Sequence, residues 1–380
     1  MSEVARTEAT VRGSARLTSL DALRGLLMAL MALDHASQFV AQKHSSGEFW
    51  GGPFPVYADA LAFLTRAVTH LCAPGFFFLM GAGMALLAAS RRRLGCSRRD
   101  TIQHLFLRGA LFIALEFVVV SRAWQLSPGG WGLRLYAGVL FALGCCTILG
   151  SLLLWLPPAA LLGLGAALAL ATELLMPAPS LWYGMYPALA RLLLIPGGGP
   201  QLYVHYPVLP WLGVTCLGIA FGRWLAEDPR RALQRALRLA VACLMAFLLV
   251  RYLNGFGNTR PRAGSDWIGF LNVVKYPPSI TFQLLTLGVD LLLLWMFWRV
   301  GNRAGAALWP LVVLGQVPLF FYITHLFVYA GLGRWLTPRG TSIAAMYPYW
   351  LLGMLILYPL CPWYGHLKRR RPPHSVLRLL

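Results

Sequence analysis

The chain has 380 residues and a formal net charge of +20; 58% of its residues are hydrophobic and only 12% are charged. A water-soluble domain carries roughly 25% charged residues to wet its surface, so this composition excludes a soluble globular protein. The basic excess is not a nucleic-acid footprint either, because Lys and Arg gather at the ends of apolar runs, where they orient helices and meet anionic headgroups.

Residues 1–17 are polar, with Arg6, Arg12 and Arg16, and are expected to be a flexible cytoplasmic N-terminus. The apolar run that follows is too long for a signal peptide and ends in Asp34-His35-Ala36-Ser37, a poor cleavage site, so it is predicted to stay as an uncleaved helix. A spanning helix needs roughly 20 mostly apolar residues. Runs of that kind fall at 19–40, 74–90, 105–121, 135–156, 159–176, 207–226, 235–253, 278–299, 307–330 and 346–365. An amphipathic piece at 57–72 leads into the second run, and Pro74 marks the break between them. The fold class predicted is all-α: a polytopic membrane helix bundle of about ten transmembrane helices over residues 18–366, with a basic cytoplasmic tail at 367–380.

Ten spans put both termini on one side. The same side receives Arg91-Arg92-Arg93, Arg98-Arg99, Arg230-Arg231 and Lys368-Arg369-Arg370-Arg371, which makes it cytoplasmic. The Gly- and Pro-containing loops at 41–73, 177–206, 254–277 and 331–345 then face outward. They carry His44, Trp50, Tyr183, Tyr186, His205, Trp267 and Tyr276, a composition that suggests a structured outer face. The seven cysteines, mostly within apolar runs, show no metal-ligand spacing and read as small buried side chains.

Chemistry is concentrated near the start. Arg24 and His35 are eleven residues apart, which on a helix places them within roughly 20° of one another and about 16 Å apart along the axis. Asp21 is on the same side, and with Thr18 it also fits a capping box. Asp34-His35 sits at membrane depth, where ionisable groups are costly and usually functional. A second signal is Thr69-His70-Leu71-Cys72-Ala73-Pro74-Gly75, where the broken helix frees backbone groups beside an imidazole. Glu116, Asp290, Gln316 and His325 lie deep in other runs and suggest a polar interior.

Arg16-Leu17-Thr18-Ser19-Leu20-Asp21-Ala22-Leu23-Arg24-Gly25, followed by Met31-Ala32-Leu33-Asp34-His35, resembles the opening of the heparan-alpha-glucosaminide N-acetyltransferase catalytic-domain family, bacterial branch, within a wider transmembrane acyltransferase superfamily. Thr69 to Pro74, Lys275-Tyr276-Pro277-Pro278-Ser279 with Thr286-Leu287-Gly288, and Gly315-Gln316-Val317-Pro318-Leu319-Phe320-Phe321-Tyr322 resemble its later motifs. The resemblance implies transfer of an acyl group, typically acetyl, from cytoplasmic CoA to an acceptor on the far side, with a membrane-embedded His as catalyst. Animal members carry that His in a Lys-His-Ala-Ser-Trp-Asn-Gly stretch just before the Pro-aromatic run. Here the nearest string, Lys43-His44-Ser45-Ser46-Gly47, is further upstream, and His70 stands where they carry an Asp. The resemblance therefore does not fix which His is essential, and heparan does not carry over as substrate.

The expected site comprises His35 and His70 as catalytic imidazoles meeting in one water-accessible tunnel, with Asp34 fixing a ring's tautomer. Arg24, Arg91 and Arg108 are candidates for the CoA phosphates. The implied partners are an acyl-CoA co-substrate, an extracytoplasmic glycan or small-molecule acceptor, the lipid bilayer of a bacterial inner membrane and, in a homodimer, a second copy of the chain. No cofactor is expected to be bound permanently, and no metal. A transporter or flippase, which also uses broken helices and buried polar groups, and a non-catalytic membrane scaffold are the competing readings.

Overall fold

The computed structural model describes residues 17–372 and 375, apart from 45–46, 128–134, 200, 263 and 302–304. The expected flexible N-terminus falls almost wholly outside them, as does the end of the basic tail. The described chain is an all-α polytopic bundle. Its long elements are α1 (Thr18–Ala36, extended by a π-helical turn Ser37–Ala41), α2 (Ala60–Thr69), α3 (Cys72–Arg93), α4 (Arg98–Leu115) and α5 (Val139–Leu153). They continue with α6 (Pro158–Leu175), α7 (Val208–Glu227), α8 (Pro229–Leu253), α9 (Ile280–Gly301), α10 (Gly305–Gly315), α11 (Pro318–Leu336) and α12 (Ile343–Arg370). One small sheet joins the loops: β1 (Leu135–Ala137) runs parallel to β3 (Leu202–Val204), and β2 (Gly197–Gly198) pairs antiparallel to β3.

Among the described residues, seven helices are long and apolar enough to cross a membrane, counting α2–α3 as one stretch and α4 through to Gln125 as another. The bent pair α10–α11 makes an eighth. The predicted run 307–330 is thus two helices, turned by 79° at Gln316–Val317. Pro318, which lacks an N–H and opens α11 at its first position, accounts for the break. α5 is only 15 residues long. α1 carries Asp21, Arg24 and Asp34, and packs against α2, α3, α9, α10, α11 and α12, so protein rather than lipid surrounds its charges.

The α1–α10 seam depends on two glycines. A Cβ at Gly25 would run into the Leu311 carbonyl, and one at Gly315 into the Asp21 carbonyl. The capping box expected from Thr18 and Asp21 is absent: Leu17 is the cap residue and makes no side-chain cap, because the helix starts one residue too early for Thr18 to serve. Asp21 pairs instead with Arg24 at 2.8 Å. Glu116, one of the deep acids, accepts from the N–H groups of Leu140 (2.9 Å) and Phe141 (3.1 Å), and so caps α5 from a neighbouring helix. Buried Arg251 fastens the loop after α8, donating to the carbonyls of Gly269, Phe270 and Asn272 and to Asn258 Oδ1 at 2.7–2.8 Å.

Candidate functional site

Two cavities lie at different levels of α1. The inner one, 390 Å³, is lined by Arg24 and Met28 of α1, Arg108 and Phe112 of α4, Tyr322 of α11 and Lys368 of α12. Gln316 and Pro318, at the α10–α11 break, also line it. Its walls are otherwise mostly aliphatic and aromatic, so three cations line a largely apolar chamber. Arg24 Nη1 donates to the Gly315 carbonyl (3.0 Å), and the Arg108 guanidinium lies 5.4 Å from the Phe112 ring centre. Arg91 does not line this cavity; it follows Leu87, which does, by one turn of α3.

The second cavity, 240 Å³, is lined by Asp34 and Ser37, by Lys43, Tyr57 and Ala58 from the loop after α1, and by Thr65 and Arg66 of α2. Behind it is a buried ionic network. Arg66 Nε and Nη2 donate to Glu48 Oε1 (2.8 Å) and Oε2 (2.9 Å) in a fork, while Nη1 donates to Asp34 Oδ1 (2.6 Å). Thr69 Oγ1 lies 2.7 Å from the same Asp34 oxygen. His44 Nε2 sits 3.2 Å from Asp34 Oδ2 and 2.9 Å from Arg66 Nη1. His70 Nε2 donates to Glu48 Oε1 at 3.3 Å, and the Tyr57 hydroxyl donates to the same oxygen at 3.2 Å. Burial alone would push the Glu48 carboxyl up, but the charge and hydrogen bonds of Arg66, then those of His70, hold it well below the usual carboxylate range.

His35 faces elsewhere. Its Nδ1 is 2.6 Å from His325 Nε2, and the two rings stack with centres 4.8 Å apart. His325 Nδ1 is 2.9 Å from the Phe321 carbonyl, which can only accept, so that nitrogen carries the hydrogen. In a neutral pair His325 Nε2 is then the acceptor and His35 Nδ1 the donor, which leaves a lone pair on His35 Nε2. No described residue hydrogen-bonds that atom, and packing does not seal it. The His35 ring also meets Trp124 edge-on at 5.3 Å.

The expected partners are therefore redistributed. His35 and His70 do not pair with each other: His35 joins His325, and His70 joins Glu48. Neither ring lines either described cavity. Asp34 orients no catalytic ring of the expected pair, because on a helix adjacent side chains diverge by about 100°; it serves Arg66, Thr69 and His44 instead. The two networks still touch through chain neighbours, since Asp34 precedes His35, Thr69 precedes His70, and Asp34 meets Thr69. The common face predicted for Arg24 and His35 points at the broken pair: Arg24 bonds to the end of α10 and His35 to α11. Glu48 and Arg66 were not singled out by the sequence, and Lys275 entered only as part of a motif. In a chain with only 13 acidic residues, an acid between two apolar stretches and an Arg inside an amphipathic one were the signals available.

Among known families, the model described as heparan-alpha-glucosaminide N-acetyltransferase, catalytic, matches residues 16–253, more than half of the chain. No curated protein matches it. The matched segment holds Arg24, Asp34, His35, His44, Glu48, Arg66, His70 and Arg108, whereas Lys275, His325 and Lys368 lie beyond it.

Proposed function

Starting from the chain's membership of the heparan-alpha-glucosaminide N-acetyltransferase catalytic family, we propose that it moves an acetyl or similar short acyl group from cytoplasmic acyl-CoA to an extracytoplasmic acceptor, a sugar or glycan. The observation that carries this reading is the position of the His35–His325 pair. Tyr322, which lines the inner cavity, has its ring centre 5.8 Å from that of His325, and Asp34, adjacent to His35, lines the second cavity. The pair thus stands between a chamber that three cations line and one lined by ionic and phenolic groups.

In this mechanism Arg24 and Arg108 hold the CoA phosphates, with Arg91 at the approach, and the apolar wall of the inner cavity takes the pantetheine arm. His35 Nε2 accepts the proton of the attacking hydroxyl or amine, and His325 supports the resulting charge through the bond at Nδ1. The Arg66–Glu48–His70 network keeps Asp34 in place at the acceptor side. Arg24 near the start of α1 and Lys368 near the end of α12 line the same cavity, which supports placing both ends of the bundle on the cytoplasmic side. A second reading makes His44 the base, favoured by its contact with Asp34 Oδ2 and by the Lys43-His44 string.

The test is thiol release from acetyl-CoA by the purified protein in nanodiscs, compared with His35→Ala, His70→Ala and His44→Ala. Loss in His35→Ala alone supports the first reading, and loss in His44→Ala alone the second. Intact transfer in all three removes both readings, and substrate uptake into vesicles without acyl-CoA would mark a transporter.

A further inference from the structure

Lys275 enters the bundle from the loop before α9. Its backbone N–H donates to the Glu48 carbonyl (2.9 Å), as does that of Tyr276 (3.0 Å), and the Trp50 N–H donates to the Tyr276 carbonyl (2.9 Å). The segment is thereby fixed beside the ionic network. The residue is 3% exposed. Among the described residues, none hydrogen-bonds its ammonium and no carboxylate lies within ion-pair distance; Nζ is 5.2 Å from the Tyr276 ring centre. Asp34, His35, His70 and His205 all feel its charge.

Arg66 and Arg251, also deeply buried, are by contrast saturated with acceptors. Packing does not seal Nζ, but an ammonium held this deep with little water and no described acceptor is costly. A protein keeps one where an oxygen that acquires negative charge will arrive during the reaction. Acyl transfer generates such an oxygen on the thioester carbonyl.

We propose that the Lys275 ammonium donates to this oxyanion, an assignment that rests on the acyltransferase reading above. The acceptor's oxygen or nitrogen attacks the carbonyl carbon while its proton passes to His35 Nε2. The carbonyl π pair moves onto oxygen, where Lys275 holds it without giving up its own proton. Collapse re-forms the C=O and breaks the C–S bond, and the departing thiolate takes the proton back from His35.

The experiment measures CoA thiol release from acetyl-CoA, with water or added glucosamine as acceptor, in the full-length protein and in Lys275→Met and Lys275→Ala. Losing one oxyanion donor lowers kcat by roughly 10²–10³-fold. Lys275→Met is expected to show that loss with the KM for acetyl-CoA changed less than about threefold, the scale of a group that does not bind ground-state donor. Its melting temperature should equal or exceed that of the unmodified protein, since a buried charge with no partner among the described residues has been removed. Small alkylammonium ions should restore part of the activity of Lys275→Ala. Unchanged kcat in Lys275→Met overturns the assignment, as does lost activity with a lower melting temperature and no amine rescue, the pattern of a structural lysine. A wild-type protein inert towards acetyl-CoA and longer acyl-CoAs strikes the acyltransferase reading itself.

Discussion

Replacing Arg66 by Met should be among the most damaging single changes to the part of the bundle around Asp34 and Glu48. The guanidinium makes two bonds to Glu48, which is fully buried, and one to Asp34. Removing one partner of a buried ion pair costs about 3–5 kcal/mol, and the lost charged bond to Asp34 adds about 1.5–3 kcal/mol. The sum, about 4.5–8 kcal/mol, is comparable with the 5–15 kcal/mol that holds a typical domain folded. Arg66→Met combined with Glu48→Gln removes the stranded carboxylate and should recover most of the first contribution. The assay is thermal unfolding in detergent between pH 5 and 8. In the native protein Glu48 titrates below its usual range, so its stabilisation is complete above that range and is lost as pH falls through the lowered value. Without Arg66, burial dominates and raises the Glu48 value, so the variant's deficit should shrink as pH falls. A single variant that melts like the native protein at pH 7, or a double variant no better than the single, would refute this account.

Arg108→Ala should raise the KM for acetyl-CoA about tenfold or more while leaving the melting temperature unchanged, because the side chain faces the inner cavity and a charged hydrogen bond is worth about 1.5–3 kcal/mol. Steady-state kinetics at several donor concentrations decide it. Gly315→Ala should lower both thermal stability and donor affinity, since its Cβ meets the Asp21 carbonyl and would displace the carbonyl that Arg24 holds. Paired melting and KM measurements check whether the two move together. Burial, then the nearby charge of Lys275, holds the His205 value well below the usual one, so the ring stays neutral in the fold. The unfolded chain takes up that proton below about pH 6.5, and the stability present above this pH is lost as pH falls towards the lowered value. His205→Gln should therefore flatten the acid limb of the melting profile.

Hydropathy located most of the helices because crossing a bilayer demands long apolar runs, but Pro74, expected to mark a break, lies in the first turn of α3, and the run at 135–156 opens with β1 and holds only a 15-residue helix. The run at 307–330 reads as one span with a kinking proline, and at Pro318 the kink is a full 79° turn between two helices, a geometry that α1 and the Arg24–Gly315 bond support. Helical periodicity put Arg24 and His35 on one face, and the fold keeps that face against α10 and α11. It could not name His325 as the partner, since 290 residues separate the two rings and only tertiary packing joins them. Arg66 was hidden for a different reason. An arginine in an amphipathic stretch ordinarily reaches for headgroups, and nothing local announces that Glu48 and Asp34 will receive it instead. Lys275 was visible only as a motif letter, because its significance is a shortage of partners among the described residues, which no sequence displays.

The inner chamber takes Arg24 from the first long helix and Lys368 from the last. During synthesis the growing chain therefore inserts most of its hydrophobic segments before this chamber is closed. The chamber is complete only after α12 has joined the bundle, so under the acyltransferase proposal a polypeptide stalled or clipped before that helix should neither hold acyl-CoA nor hydrolyse its thioester.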